Sequence, residues 1–170
     1  MSSYLRGVLL TRGSSPVTRK SIPLAACGAL VLLACGHARP QTPQPQTPNT
    51  ALVQFLAAVK SNDLKRMAEL WGNERGPARA SMKDSVVVMR VSAMRVYLNH
   101  VGYRIIEGPL QAPGQRDIVT FRVEMQREHC TYVQRFDVQR TRQGGWMVAD
   151  VHIEQIPSPA KPCGGQTSGN

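Results

Sequence analysis

Long apolar stretches, aromatic residues and cysteines are all scarce in this sequence. The longest nearly continuous apolar run covers residues 22–34, which is shorter than the roughly 20 residues that span a bilayer, so a polytopic membrane protein is excluded. Four cysteines are too few for a small scaffold built from disulfides. With 170 residues, of which 42% are hydrophobic and 19% charged, the chain instead has the composition of one domain with a packed core.

Acidic residues are also scarce, and part of the basic excess lies at the start of the chain. There are 21 Lys and Arg against 11 Asp and Glu, a formal charge of +10. Four of the 21 basic residues lie in residues 1–34, so the rest of the chain has an excess of only six. Elsewhere basic and acidic residues are interspersed, as at Arg122 and Glu124, which is typical of a solvated face. No nucleic-acid partner is predicted.

The first 34 residues have the pattern of an export signal peptide. A basic segment without acids precedes the short apolar run, which ends in Leu32-Leu33-Ala34-Cys35. These residues resemble the lipobox of bacterial lipoproteins. The resemblance implies cleavage before Cys35 and attachment to the membrane through several acyl chains on that residue, which together make a stable anchor. An uncleaved signal anchor and an ordinary signal cut near Ala34 are the alternatives.

Two segments of biased composition flank the predicted domain. Residues 35–48 are rich in proline and glutamine and lack large apolar side chains, so we expect a disordered, extended tether. Residues 157–170 are expected to be a disordered tail, which leaves residues 49–156 for the folded domain. The lipoprotein resemblance further implies the periplasmic side of the outer membrane, because Gly36 replaces the Asp that retains some lipoproteins at the inner membrane.

Three helices are predicted at the start of the domain. Apolar residues recur at helical spacing after Thr50 and again after Asp63. The third and longest helix is expected from residue 81 or 82 to about residue 100, with Ser81 as its cap. Its expected buried face contains Val86, Met89, Ala93, Met94, Tyr97 and Val101.

The remaining residues alternate between apolar and polar, as in a half-solvated antiparallel sheet. We expect strands at residues 103–110, 117–131, 132–140 and 146–156, with a hairpin turn at residues 143–145. In the last strand the apolar residues change parity between Val148 and Val151. Either both faces of this strand are partly covered, or a bulge near Asp150 switches its faces.

Helices followed by antiparallel strands predict an α+β fold. The paired short helices of residues 52–72, the long helix of residues 86–102 and the terminal Gly144-Gly145-Trp146-Met147-Val148 resemble the nuclear transport factor 2-like superfamily. This resemblance implies three N-terminal helices packed on a curved antiparallel sheet that encloses a cone-shaped cavity. A cystatin-like helix-plus-sheet domain is the alternative. The resemblance transfers no catalytic residue to this chain.

Candidate functional side chains are expected in the implied cavity. Asp150 and His152 share one strand face, and a carboxylate beside an imidazole can act as a general base. His129, near the end of the long strand, is a further catalytic candidate. For Asp150 and His152 the alternative is a strand face that turns to solvent after Ala149. The side chains expected to line the cavity are Trp71, Tyr97, Tyr103, Phe121 and Trp146.

Cys130 and Cys163 remain once Cys27 is assigned to the signal peptide and Cys35 to the lipid. In an oxidising compartment these two cysteines are a disulfide candidate, with two free thiols or an intermolecular bridge as alternatives. The sequence has no CxxC, HxH or HExxH spacing, so no metal is predicted, and no cofactor is expected.

The sequence therefore predicts a membrane-anchored lipoprotein of the cell envelope with a small, non-catalytic binding domain. Its partner is expected to be a small apolar ligand in the cavity or a second copy of the chain on the sheet face, where Val133, Met147 and Val151 would support a homodimer. The alternative is a small hydrolase, isomerase or cyclase that uses Asp150 and His152. The two hypotheses differ in whether these two side chains converge in a deep pocket.

Overall fold

The structure has an α+β architecture, which confirms the predicted fold class. The computed structural model describes residues 43–111 and 113–160. Within these residues the helices are α1, Pro48–Lys60, α2, Leu64–Leu70, and α3, Asp84–Tyr97. A short hairpin of β1, Gly72–Asn73, and β2, Gly76–Pro77, lies between α2 and α3. The longer strands are β3, Gly102–Gln111, β4, Ile118–Gln126, β5, Thr131–Arg140, and β6, Trp146–Asp150.

Capping side chains determine where α1 and α2 begin. The Thr47 hydroxyl accepts a hydrogen bond from the Thr50 N–H at 3.1 Å, and the Asp63 carboxylate accepts one from the Arg66 N–H at 2.9 Å. Pro48 lies in the first turn of α1, where a helix does not need the N–H that proline lacks. Both helices therefore begin close to the residues that the sequence predicts.

The segment before α1 is part of the folded domain. Pro45 is buried, and its carbonyl accepts a hydrogen bond of 2.8 Å from the N–H of Trp146 at the start of β6. The side chain of Gln44 lies against Gly145 in the preceding turn. The domain thus begins earlier than expected, and residues 43–48 are not part of a disordered linker, because the edge of β6 offers their backbone a partner.

α3 is shorter than expected, and of its expected buried face only Met94 lies fully in the core, with Tyr97 packed at its margin. It begins at Asp84 with Lys83 as the N-cap residue, so Ser81 does not cap it. Met89, expected in the core, is 65% exposed, whereas Val91 is 1% exposed. Apolar residues occupy most sides of this helix, so spacing alone allowed several faces and packing against α2 selected one. The buried set of α3 and its C-terminal cap is Val87, Val91, Met94 and Leu98.

The four longer strands form an antiparallel sheet in the order β3-β4-β5-β6. α1 packs against β5 and β6, and the side of the sheet that faces the helices is apolar, with Phe121 paired with Phe136 at its centre. The outer side is polar, and the Arg122–Glu107 ion pair, at 3.0 Å, is one of several that lie on it. Among the described residues, no helix combines the length and the apolar character needed to cross a bilayer.

A bulge at Ala149 switches the faces of β6. Val148 pairs with Val138 of β5, but Asp150 pairs with Asp137, so one residue of β6 has no partner in between. Val148 consequently faces the helices, while Asp150 lies on the outer side. The strand ends there, six residues before the predicted end, and a 3₁₀ turn, Ile153–Gln155, follows.

Candidate functional site

Asp150 and His152 do not converge in a pocket. The Asp150 side chain is 60% exposed on the outer side of the sheet, and that of His152 is 16% exposed. The space that the cone-shaped fold implies between sheet and helices is filled by core side chains such as Phe121 and Phe136, both fully buried. The structure therefore has the alternative given above, a strand that turns outward after Ala149, because the bulge there carries the end of β6 away from the core. The cavity position of Asp150 and His152 is not adopted.

His152 pairs instead with Asp137 of the neighbouring strand. The Nε2 atom of His152 lies 2.8 Å from Oδ2 of Asp137. The same carboxylate accepts a hydrogen bond of 2.7 Å from the Thr120 hydroxyl and bonds of 3.2 Å from Arg135. Burial alone would raise the pKa of Asp137, but the hydrogen bonds from Thr120, His152 and Arg135 outweigh burial and lower it.

The backbone at His152 is held by further polar contacts. His152 has a φ of 43°, which is uncommon for a residue with a side chain, and its N–H donates to the Asp150 carboxylate at 2.8 Å. The buried amide of Gln134 donates to the carbonyls of Val151 and His152. The second ring nitrogen, Nδ1, lies 3.5 Å from the Glu154 carboxylate. These contacts fix the backbone at the end of β6. Asp137, Asp150 and His152 line neither of the two cavities described below.

The five side chains expected to line a cone belong to the core or its margin. Phe121 is fully buried, and Trp71, Tyr97, Tyr103 and Trp146 are half-buried against the core cluster. Trp71 lies beside β6 through a single parallel bridge to Val148. None of the five lines either cavity described below, so the expected cone cavity is replaced by packed side chains.

A cavity of about 660 Å³ lies beside the C-terminal end of α3. Its walls come from the α3–β3 connection, from the β4–β5 hairpin and from the chain after β6. His129, a predicted catalytic candidate, lies at its rim with a side chain that is 85% exposed and 3.7 Å from Glu128. The lining residues include Val96, Asn99, His100 and Val101, residues 127–130, Pro159 and Ala160.

His100 gives this cavity its distinctive chemistry. The residue is only 5% exposed, and its Nδ1 lies 2.8 Å from the carbonyl oxygen of Leu98. Burial and the nearby charge of Lys60 lower the pKa of His100 and outweigh the hydrogen bond to Leu98, which raises it. The ring is therefore neutral near pH 7, and its Nε2 is buried without a hydrogen-bond partner. Such an unsatisfied polar atom costs about 1–3 kcal/mol.

Arg127 connects the segments that form the walls of the cavity. Its two terminal nitrogens donate to the carbonyls of Tyr97, at 2.6 Å, and Pro157, at 3.0 Å. Its guanidinium carbon lies 4.7 Å from the centre of the Tyr132 ring. Burial raises the pKa of the Tyr132 hydroxyl, and the charge of Arg127 partly opposes that rise. Arg127 thus ties the β4–β5 hairpin to the end of α3 and to the segment after β6.

Sequence reasoning missed both His100 and Arg127 as site residues. The sequence placed His100 at the end of a helix and Arg127 among the interspersed charges of a solvated sheet. The available signal was their position, since one follows the last turn of α3 and the other follows the last residue of β4. Their burial and hydrogen-bond partners depend on tertiary packing, which residue spacing does not describe.

A second cavity, of about 450 Å³, lies at the other end of β4 and β5. Glu74, Asp117, Arg140 and Arg142 are among its lining residues, so opposite charges are balanced there. Arg142 lies 3.6 Å from Glu74, so these two charges are already paired within the protein. Thr141 also lines this cavity, and its buried Oγ1 has no hydrogen-bond partner, so the second cavity differs from the cavity at His100 in its paired charges.

Cys130 is disulfide-bonded and lines the first cavity. The other three cysteines, including the predicted partner Cys163, lie outside the described residues, so the pairing of Cys130 with Cys163 stays a prediction. Cys35, the predicted lipidation site, also lies outside them.

The described residues contain no group of three or more His, Cys, Asp or Glu side chains arranged to hold a metal ion. Protein-family models, curated proteins and solved structures contain no match to this chain. The geometry of the cavity beside α3 is therefore the basis on which a function can be proposed.

Proposed function

We propose that this protein is a lipoprotein of the cell envelope whose domain binds a small ligand without catalysing a reaction. The observation that carries the proposal is that His100, which lines a cavity of about 660 Å³, has a buried Nε2 without a hydrogen-bond partner. Nearly all buried polar atoms in folded proteins have a partner, so an exception in a residue that lines a cavity needs an explanation, and a bound ligand supplies one.

The lipobox residues support the anchored part of this proposal. If Cys35 carries the lipid, few residues separate it from the segment that is docked against β6 from Pro43 onward. An extended chain spans at most roughly 3.6 Å per residue, so the domain would lie within roughly 30 Å of the membrane. The α+β arrangement of helices against an antiparallel sheet supports a relation to the nuclear transport factor 2-like fold.

The outer side of the sheet gives little support to the alternative partner, a second copy of the chain. Of the three side chains expected to face outward, Met147 and Val151 are buried and Val133 is exposed. Ion pairs such as Arg104–Glu124, at 3.2 Å, occupy the same side of the sheet. We therefore propose a small molecule as the partner of the domain.

The enzyme hypothesis loses the geometry on which it depends. It requires Asp150 and His152 to face a shared cavity, but Asp150 is exposed and the His152 ring is engaged by Asp137. A general base needs a substrate within hydrogen-bond reach, and neither cavity is lined by Asp137, Asp150 or His152. A binding function fits the described residues better.

Mass spectrometry of protein extracted from the membranes of its native host tests this proposal. Under denaturing conditions we expect a mass that begins at Cys35 with added acyl chains. Under non-denaturing conditions we expect a small-molecule adduct that is lost in His100→Leu and kept in Asp150→Asn. A mass that begins at Met1 without lipid contradicts the anchor, and the lack of a His100-dependent adduct contradicts the binding function.

A further inference from the structure

The tautomer of His100 restricts what the cavity can bind, and this inference rests on the proposed function. The Leu98 carbonyl, 2.8 Å from Nδ1, can only accept a hydrogen bond, so Nδ1 carries the proton of the neutral ring. Nε2 then has a lone pair and no hydrogen. A carboxylate, phosphate or ether oxygen cannot satisfy this atom, whereas a hydroxyl or an amide N–H can.

The charges around the cavity do not favour an anion or a cation at His100. The two terminal nitrogens of Arg127 donate to the carbonyls of Tyr97 and Pro157, and its Nε is a buried donor without a hydrogen-bond partner. A ligand acceptor would therefore be drawn to Arg127, whereas the hydrogen-free Nε2 of His100 still requires a donor, and a hydroxyl can serve as both. The Lys60 ammonium, which donates to the Val101 carbonyl at 2.9 Å, is close enough to disfavour a positive charge on His100. It would repel a ligand ammonium at the same place. A neutral donor is therefore the best complement to Nε2.

Apolar side chains lie next to this acceptor in the same cavity. Val96 and Val101 both line it, and both are about half exposed. Val96 also continues the exposed apolar residues Met89 and Ala93 on the outward side of α3. A ligand that covers Val96 and Val101 gains from the burial of apolar surface, and gains more if it extends along α3.

We propose that the cavity takes a neutral amphiphile whose hydroxyl or amide N–H donates to Nε2 of His100 while its apolar part covers Val96 and Val101. Nε2 is covered in the structure, so the proposed binding includes movement of a neighbouring side chain that exposes Nε2 while Nδ1 keeps its hydrogen bond to Leu98. The contact satisfies the one ring atom of His100 that the protein leaves without a partner.

Two isomeric probes test this proposal in the full chain. 1-Hexanol and 1-methoxypentane have the same atoms and similar apolar surfaces, but the alcohol alone can donate a hydrogen bond. In NMR titrations we expect both probes to shift the amide signals of Val96 and Val101. Only 1-hexanol should shift the Nε2 signal of His100, and it should bind about tenfold more tightly. Hexanoate, an anion of similar length, should bind more weakly than the alcohol.

Each other outcome contradicts a distinct claim. Equal binding of the alcohol and the ether at the cavity overturns the donor requirement and leaves the binding function standing. Tighter binding of hexanoate overturns the neutral ligand class. If neither isomer shifts the cavity signals, the neutral amphiphile is wrong as the ligand class, and the His100-dependent adduct in mass spectrometry then tests the proposed function separately.

Two variants test whether the difference in affinity between the alcohol and the ether depends on His100. His100→Phe keeps the bulk of the ring but removes the acceptor, so the alcohol should bind it no better than the ether does. Val101→Ser leaves His100 intact and removes apolar surface, so both isomers should bind more weakly while their ratio stays near tenfold. The second variant tests the inference even if the first does not fold. A ratio that collapses in Val101→Ser, or persists in His100→Phe, contradicts the proposed role of Nε2.

Discussion

Asp137 shows how one carboxylate holds the end of β6. Thr120, Arg135 and His152 all contact it, and their hydrogen bonds lower its pKa in the folded state despite burial. A lowered folded pKa stabilises the protein above the ordinary Asp pKa of about 3.9, and this contribution disappears as the pH falls through the lower folded value.

Asp137→Asn should therefore reduce the free energy of unfolding at neutral pH, with a difference from the native chain that closes under acid. Urea unfolding from pH 7 downward measures it. Asp117→Asn, which removes a carboxylate at an exposed position just before β4, is the matched control. A difference between native chain and Asp137→Asn that persists unchanged in acid contradicts this account.

The fold requires at Gly108 a backbone conformation that residues with a side chain rarely adopt. Its φ is +118°, and an added Cβ would lie 2.8 Å from Cδ1 of Phe121 and from the carbonyl oxygen of Thr120. Gly108→Ala should lower the free energy of unfolding by about 2–3 kcal/mol, because strain and a clash with backbone add together. Gly114→Ala is the control, since it has a φ of +80° but open space around it, and should lose about 1 kcal/mol. Equal losses in urea unfolding would show that the clash is relieved.

At the level of elements, two substitutions in α3 test which face of this helix is buried. Val91→Ala should destabilise the protein by about 2 kcal/mol, since it leaves a cavity in the core. Met89→Ala should change the free energy of unfolding by less than about 0.5 kcal/mol, because that side chain lies in solvent. The reverse ranking in urea unfolding would support the face that apolar spacing suggested and contradict the packing described here.

Sequence patterns identified the elements better than their faces and ends. The caps of α1 and α2 are local, so Asp63 predicts its helix correctly. The docking of Pro45 depends on a neighbouring strand, which a single segment does not reveal. The bulge at Ala149 has a local signal, because the apolar residues of this segment change parity and allowed a bulge near Asp150 as one of two alternatives. The site follows the same rule. His152 does pair with a carboxylate, but the carboxylate is Asp137, on the adjacent strand, where the sequence pattern pointed to Asp150.

At the scale of the whole described domain, both edges of the sheet are protected from pairing with another strand. β3 is interrupted by two register shifts and by Pro109, which has no N–H to donate. β6 is shielded by the bridge from Trp71 to Val148 and by the carbonyl of Pro45. The exposed surface best suited to a partner is therefore the end of α3, where apolar side chains meet the cavity at His100.

The segment before α1 also covers the β6 edge of the sheet. Hydrogen exchange distinguishes a segment that is docked on this edge from a mobile tether. The Trp146 N–H bonds to the Pro45 carbonyl at 2.8 Å, so we expect this amide to be protected like the other amides of β6. Pro45→Gly loses a buried ring and a restricted φ, and should lower the protection of Trp146 by about tenfold. Pro43→Gly changes an exposed residue of the same segment and should leave it unaltered. Rapid exchange of the Trp146 amide in the native chain would contradict this docking. Residues 43–47 would then belong to the tether, and the β6 edge would be open.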